Sequence, residues 1–283
     1  THGRAGVVEP KGRGGRQMTL VRNAFLWIVA ACLLVPFAIV AGVSVNPARR
    51  IAFPPESLSP KWFVELATSS DWQVAIWNSL SIAFVAAAIA TFVALLTAYA
   101  LWKRSNLLTQ SVFALGLGPY MVPPVILALG ASIFWAEVGL YGSRWATSIS
   151  HGVLFVTLPL VIISRGFATL GNDVVEASAI SGATPAQTLF RVILPLIAPY
   201  IATGFAIVAI ISVNEYLISS FISGFTVETL PVKIFNNVRY GYTPVLAAAA
   251  LGFAALTVVV LVVVSFFSDL LELFGGDAPE ERS

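Results

Sequence analysis

A single carboxylate interrupts an apolar stretch of the sequence at residue 215. Glu215 directly follows an uncharged run over residues 192–214, and an ionisable group inside a membrane is costly unless it faces protein or water. Serines accompany it at offsets of three, four and four, which predicts one polar helical face formed by Ser212, Glu215, Ser219 and Ser223. Such a face can line a polar pathway and attract a cation. Alternatively, Glu215 can reach the headgroups or pair with another side chain, and the sequence leaves both readings open.

Several kinds of chemistry are excluded by what the sequence lacks. It contains no GxxxxGK[ST] phosphate-binding loop, so it does not hydrolyse ATP by that mechanism. The histidines are His2 and His151, and the cysteine is Cys32, too few for a hydrolase triad, a thiolate metal site or a disulfide framework. We therefore expect no cofactor and no metal, and interpret His151 as a hydrogen-bonded packing residue. The formal net charge of +2 comes without a basic patch, which argues against nucleic acid as a partner.

The composition places these residues in a membrane. The chain is 58% hydrophobic and 11% charged, whereas soluble domains carry about 25% charged residues. A helix needs about 20 apolar residues to cross a bilayer. Uncharged runs of sufficient length cover residues 23–48, 72–102, 105–136, 145–164, 192–214 and 240–268. The sequence therefore predicts an all-α membrane protein with six transmembrane helices.

The same runs divide the chain into four parts. We expect a flexible basic tail over residues 1–22, a first transmembrane helix and an external loop over 23–71, a membrane core over 72–271 and a flexible C-terminal tail over 272–283. Prolines in the external loop predict extended chain and then a short helix over residues 60–68. Basic residues concentrate on the cytoplasmic side of membrane proteins. The short turn with Lys103 and Arg104, together with Arg22, therefore predicts cytoplasmic amino and carboxyl ends.

The third predicted helix, over residues 105–136, carries several helix breakers. Pro123 and Pro124 are adjacent, with glycines on either side, so an unbroken ladder of helical hydrogen bonds is not expected. Irregular backbone within a membrane is tolerated where protein covers it or where it lines a cavity. Pro123 and Pro124 are therefore candidates for the wall of a pathway, with a simple packing kink as the alternative.

A polar loop, residues 172–195, separates the fourth and fifth predicted helices. Asp173 and Glu176 have the spacing of a helix-capping pair, and Gly182 can provide the left-handed residue that ends a short helix. Thr184 then begins a new helix with a capping-box signature, since Pro185 and Gln187 follow it. The pattern predicts a helix-turn-helix of two short helices on the cytoplasmic side.

The polar loop resembles the EAA loop of permease subunits of binding-protein-dependent ABC importers. The spacing matches at Glu176, Ala177, Gly182, Leu194 and Pro195, while Ser178 stands in place of an alanine and Val192 in place of an isoleucine. The resemblance extends over most of the chain, roughly residues 53–268, and the segments 53–72, 78–101 and 212–244 are similar to the spermidine/putrescine-type branch. Relatives importing ferric iron, thiamine or phosphonates share these later segments.

The resemblance implies that the loop is a coupling helix that docks on an ATPase. Glu176 would pair with a basic residue of the ATPase, with local helix capping as the alternative role. The residues that the resemblance and the capping pattern assign to coupling are Glu176, Ala177, Ser178, Gly182, Thr184, Leu194 and Pro195. ATP hydrolysis would belong to a separate subunit, so this chain is not expected to be an enzyme.

The resemblance also implies a set of partners and a cargo. The partners are two ATPase subunits, a second and different permease, an extracytoplasmic binding protein and the lipid of a bacterial inner membrane. The cargo would be a polyamine or a similar organic cation, although this branch tends to have adjacent acidic residues where this chain has Asn214 and Glu215. The pathway residues would be Ser212, Asn214, Glu215, Ser219, Pro123 and Pro124. Two other classes compete with this reading: an ion-gradient-driven secondary transporter and a membrane scaffold without transport activity.

Overall fold

The computed structural model describes residues 13–50, 52–240 and 243–267, and this part of the chain is helical without a strand. The α-helices are α1 Arg13–Val45, α2 Lys61–Thr68, α3 Ser70–Lys103, α4 Leu107–Leu117, α5 Pro124–Glu137, α6 Arg144–Leu154, α7 Thr157–Ala168, α8 Asn172–Ile180, α9 Pro185–Thr188, α10 Leu194–Asn214, α11 Leu217–Ser223, α12 Leu230–Tyr240 and α13 Val245–Phe267. A 3₁₀ turn, Gly118–Met121, follows α4, and a π turn, Leu189–Ile193, joins α9 to α10. The predicted helical membrane class is confirmed.

Four helical segments in the described residues are long and apolar enough to cross a bilayer: Thr19–Val45, Ser70–Lys103, Pro185–Asn214 and Val245–Val262. Two bent pairs of helices also qualify when each pair is taken together. The first pair bends by 107° between Met121 and Pro124, which agrees with the break expected at Pro123 and Pro124. The described residues therefore hold four spans, or up to six if each bent pair is one span.

The fourth predicted helix is broken, which the sequence analysis did not anticipate. α6 and α7 meet at an angle of 47°, on either side of Phe155 and Val156. Pro159 explains the position, because a proline ring clashes with the carbonyl group four residues earlier, here that of Phe155. Residues 145–164 were predicted as one helix because the run is uncharged. The length of an uncharged run does not show where a proline bends the helix.

The first helix extends further towards the amino end than expected. α1 begins at Arg13, so ten residues of the segment predicted as a flexible tail continue the helix; residues 1–12 and the predicted C-terminal tail lie outside the described residues. Once a helix is nucleated, each added residue gains a hydrogen bond. The short external helix is found as expected, at Lys61–Thr68.

α3 is the central helix of the bundle, and it packs against α6, α7 and α10. Ala86, Ala87 and Ala90 on α3 are fully buried. Small residues allow helix backbones to approach closely within a membrane. Gly152 of α6 shows how tight this contact is, because a Cβ atom there would lie 2.8 Å from the Ile89 side chain. This packing places α6 and α10 both against α3.

Candidate functional site

The polar loop folds around Gly182 and Thr184. Gly182 has a φ of +76°, in the left-handed region where glycine carries no steric penalty. The Thr184 side chain accepts a hydrogen bond from the Gln187 backbone N–H at 3.3 Å, and the Gln187 side chain accepts one from the Thr184 N–H at 2.8 Å. The predicted turn and capping box are therefore present. The predicted capping pair is wrong, since α8 begins after Gly171, which lacks a side chain to cap with, and Asp173 lies inside its first turn.

The second arm of the loop is not a separate short helix. α9, the π turn and α10 follow one another without a break, so the segment from Pro185 to Asn214 is one helical unit of 30 residues. Leu194 and Pro195 therefore lie inside this unit, at the first positions of α10 and directly after the π turn. The predicted pair of short helices is corrected to one short helix, α8, leading into a long one.

The loop exposes both acidic and apolar side chains. Glu176 and Ala177 are exposed, and Ile180, in the last turn of α8, is 88% exposed. Ile180 is not among the residues predicted for the loop, although a large apolar residue shortly before the glycine of a polar loop indicates an exposed contact. Inside the loop, Ser178 is buried and its hydroxyl lies 2.9 Å from that of Thr188, which ties α8 to α9.

A cleft of about 450 Å³ separates α8 from the end of α3. Tyr99, Trp102 and Lys103 line it on the α3 side, and Glu176 and Ser178 line it on the loop side. α8 therefore meets α3 across open space, while its Ser178 hydroxyl contacts Thr188 of α9 directly.

At the other end of the long helical unit, the chain breaks at Glu215 and Tyr216. We call these two residues the α10–α11 break. Glu215 is extended, with φ −79° and ψ 119°, so the predicted continuous helical face is wrong. Its carboxylate explains why the break is tolerated: Oε1 accepts the Leu217 N–H at 2.9 Å and Oε2 accepts the Ser219 N–H at 3.1 Å. These are N–H groups that the start of a helix leaves without partners.

His151 of α6 brings the polar residues on both sides of the break together. Its Nδ1 lies 2.7 Å from Ser212 Oγ before the break. Its Nε2 lies 3.3 Å from Ser219 Oγ after the break and 3.5 Å from Glu215 Oε2. His151 is fully buried, which confirms its interpretation as a hydrogen-bonded packing residue. The sequence could not show its partners, because they are more than sixty residues away.

The remaining pathway candidates do not contact the His151 side chain. Ser223 lies one helical turn further along and its hydroxyl is 2.8 Å from that of Thr147. Asn214 is exposed and donates a hydrogen bond to the Ile210 carbonyl at 2.7 Å. Pro123 and Pro124 are exposed at the sharp bend before α5, and α5 packs against α11 through Ala128 and other apolar residues.

The described residues contain no group of three or more histidine, cysteine or carboxylate side chains placed to hold a metal ion. What the arrangement can do is mechanical and electrostatic. An exposed loop lies at one end of a long helix, and a carboxylate whose side chain is 13% exposed lies at the other.

Comparison with known proteins gives one family for most of this structure. Residues 103–273 match the sequence model of one protein family, which is described as the binding-protein-dependent transport system inner membrane component. That range contains the polar loop, His151 and the α10–α11 break.

Curated relatives and a solved structure agree with the family match. The spermidine/putrescine transport system permease protein PotC of Haemophilus influenzae is 30% identical over 230 residues, which is 81% of this chain and 89% of the relative. The putrescine transport system permease protein PotI of Escherichia coli K12 is 30% identical over 203 residues, covering 68% and 71%. A bacterial ABC transporter involved in the import of the acidic polysaccharide alginate has a similar fold, with a TM-score of 0.73, 17% identity and coverage of 91% and 99%.

Proposed function

Since the chain belongs to the family of inner membrane components of binding-protein-dependent transport systems, we propose that it forms half of the translocation pathway of an ATP-driven importer for a polyamine or similar organic cation. The two halves of this proposal have different support. The energy source follows from the loop and its connection to the bundle. The cargo follows from the relatives and from the charge at the α10–α11 break.

The continuous helix from Pro185 to Asn214 is the observation that carries the mechanism. Its 30 residues span about 45 Å at a rise of about 1.5 Å per residue. One end starts at the exposed polar loop, and the other ends at Glu215. A movement imposed on the loop would therefore be transmitted along a helix to the break, as in rigid-body switching of packed elements.

We assign the coupling to an ATPase to the residues that shape the polar loop and to its exposed side chains. Glu176 offers an exposed carboxylate to a basic residue of an ATPase, and Ala177 allows close approach. Ser178, Gly182 and Thr184 fix the turn through the contacts described above, while Leu194 and Pro195 begin α10. This assignment puts the polar loop and both chain ends on the cytoplasmic side, with ATP hydrolysed by two separate subunits.

The pathway is assigned to the surroundings of the α10–α11 break. Glu215 supplies a fixed negative charge, Asn214 an exposed amide, and Ser212 and Ser219 hydroxyl groups. Pro123 and Pro124 form the exposed bend at the start of α5. A negatively charged lining favours a cationic solute, as in the relatives named for spermidine and putrescine transport. A second, different permease would complete the pathway, and an extracytoplasmic binding protein would deliver the solute.

Reconstitution of the whole transporter in proteoliposomes tests the proposal. The chain, its second permease, the ATPase and the binding protein are assembled, and uptake of radiolabelled putrescine and spermidine is measured with and without ATP. We expect ATP-dependent uptake that an ionophore does not abolish. Uptake driven by an ion gradient without ATP would instead identify a secondary transporter.

Competition in the same assay separates the cargo alternatives. Excess unlabelled spermidine should suppress uptake of the labelled amine, whereas ferric iron, thiamine or a phosphonate should not. ATP-dependent uptake of one of these three compounds, without uptake of either amine, would retain the importer and contradict the cargo.

A further inference from the structure

The α10–α11 break is held by one side chain from another helix. His151 contacts Ser212 in the last turn of α10 and Ser219 in α11, so its two ring nitrogens reach opposite sides of the break. α6 is itself anchored, since Trp135 of α5 donates a hydrogen bond to Ser150 at 2.7 Å. The imidazole therefore links the end of α10 and the start of α11 to a third helix, α6.

Glu215 depends on the same side chain. Both of its oxygens accept backbone N–H groups of α11, and His151 Nε2 lies 3.5 Å from Oε2. A buried carboxylate is stable only when it is paired and hydrogen-bonded. Without the imidazole, the carboxylate would keep its backbone contacts but lose the neighbour that holds it towards α6.

We infer that His151 is a positioning residue of the transport pathway: it bridges the α10–α11 break, fixes the orientation of Glu215 and keeps the end of the long helix in register with α11. It acts through Glu215 and the two serines, and it is fully buried, so it does not itself meet the solute. A movement arriving along α10 is then passed across the break to α11, which packs against α5. This transport role rests on the proposed function, whereas the structural role of the bridge does not.

Hydrogen exchange in the assembled transporter tests the bridge without any solute. In His151→Ala, the backbone amides of Leu217 and Ser219 should exchange about tenfold faster, because removing a buried hydrogen-bonding partner loosens the local structure. His151→Gln can restore a contact on one side of the break and should give an intermediate rate.

Ser150→Ala is the matched control. It also removes a buried hydrogen bond of α6, to Trp135, but keeps the contacts of His151 with Ser212 and Ser219. Unchanged amide exchange in His151→Ala would overturn the bridge. Equal acceleration in His151→Ala and Ser150→Ala would overturn it as well, because it would show general loosening of α6.

The coupling of ATP hydrolysis to solute uptake provides the second readout. With putrescine and the loaded binding protein, His151→Ala should raise the number of ATP molecules hydrolysed per solute taken up, while Ser150→Ala should lower ATP hydrolysis and uptake in proportion. An unchanged ratio in His151→Ala, with active wild-type transport, would overturn the positioning role alone. Absent wild-type uptake of any amine would contradict the proposed cargo, and the exchange experiment would still decide the bridge.

Discussion

At the scale of single residues, Glu215 serves two purposes at once. Its carboxylate satisfies two backbone N–H groups at the start of α11, and it places a negative charge beside the exposed Asn214. The two readings left open by the sequence, structural pairing and solute attraction, are compatible in this geometry. The pairing fixes where the charge lies.

Glu215→Gln tests both purposes. The amide nitrogen of glutamine cannot accept a hydrogen bond, so one backbone N–H of α11 loses its partner, and the negative charge is removed. We expect ATP-driven putrescine uptake to fall by about tenfold, equivalent to roughly 1.4 kcal/mol. Uptake into proteoliposomes is the measurement.

Glu137→Gln is the control for this substitution, since Glu137 is an exposed carboxylate at the end of α5. It should transport like the wild type. If Glu215→Gln also transported like the wild type, putrescine uptake would need neither the negative charge nor both of the hydrogen bonds to the Leu217 and Ser219 N–H groups.

At the scale of elements, the polar loop depends on one backbone conformation. Gly182 has a φ of +76°, and a Cβ atom added there would meet nothing within 4 Å. A side chain at this position is therefore disfavoured by backbone strain and not by a clash. The loop can lose its shape without any disturbance of the bundle core.

Gly182→Val should change the shape of the polar loop and leave the core of the bundle intact. A β-branched residue in the left-handed region costs about 1–3 kcal/mol, so α8 should turn away from its position relative to α9. We expect the transporter to assemble in the membrane but to hydrolyse ATP with little putrescine uptake. The ratio of hydrolysis to uptake is the quantity to measure.

Gly171→Val is the comparison. Gly171 precedes α8 with φ −68° and ψ 152°, a conformation that valine adopts readily, and the nearest atom to an added Cβ is 3.9 Å away. This variant should couple normally. Normal coupling in Gly182→Val would show that the turn does not transmit the movement.

At the scale of the whole molecule, small residues determine how closely the helices pack. Gly204 of α10 faces Pro159 of α7, where an added Cβ would lie 2.9 Å from the proline Cβ and 3.1 Å from its Cα. The same proline accounts for the bend between α6 and α7. Pro159 therefore takes part both in the bend before α7 and in the close approach of α7 to the long helix.

Gly204→Ala should destabilise the bundle by about 1–3 kcal/mol, because a methyl group is forced against backbone that cannot move freely. We expect a lower thermal midpoint for the detergent-purified transporter. Gly252→Ala in α13 is the control, since nothing lies within 4 Å of its added Cβ. Equal midpoints for the two variants would mean that α7 and α10 can separate at little cost.

The sequence by itself determined the features that depend on neighbours along the chain. Hydropathy located the apolar segments, the capping box at Thr184 and the left-handed Gly182 followed from local residue preferences, and the spacing of the polar loop led to the family. These features are encoded within a few residues or in a fixed spacing, so they need no knowledge of the fold.

Only the tertiary structure decided how the polar residues near Glu215 are used. The serine spacing correctly grouped Ser212, Glu215 and Ser219, but it assumed a continuous helix. The chain instead breaks there, and His151, from α6, lies against residues on both sides. A break in a buried helix is stable when partners for its freed backbone groups arrive from the packed surroundings, and those partners are set by how α6 and α10 pack on α3.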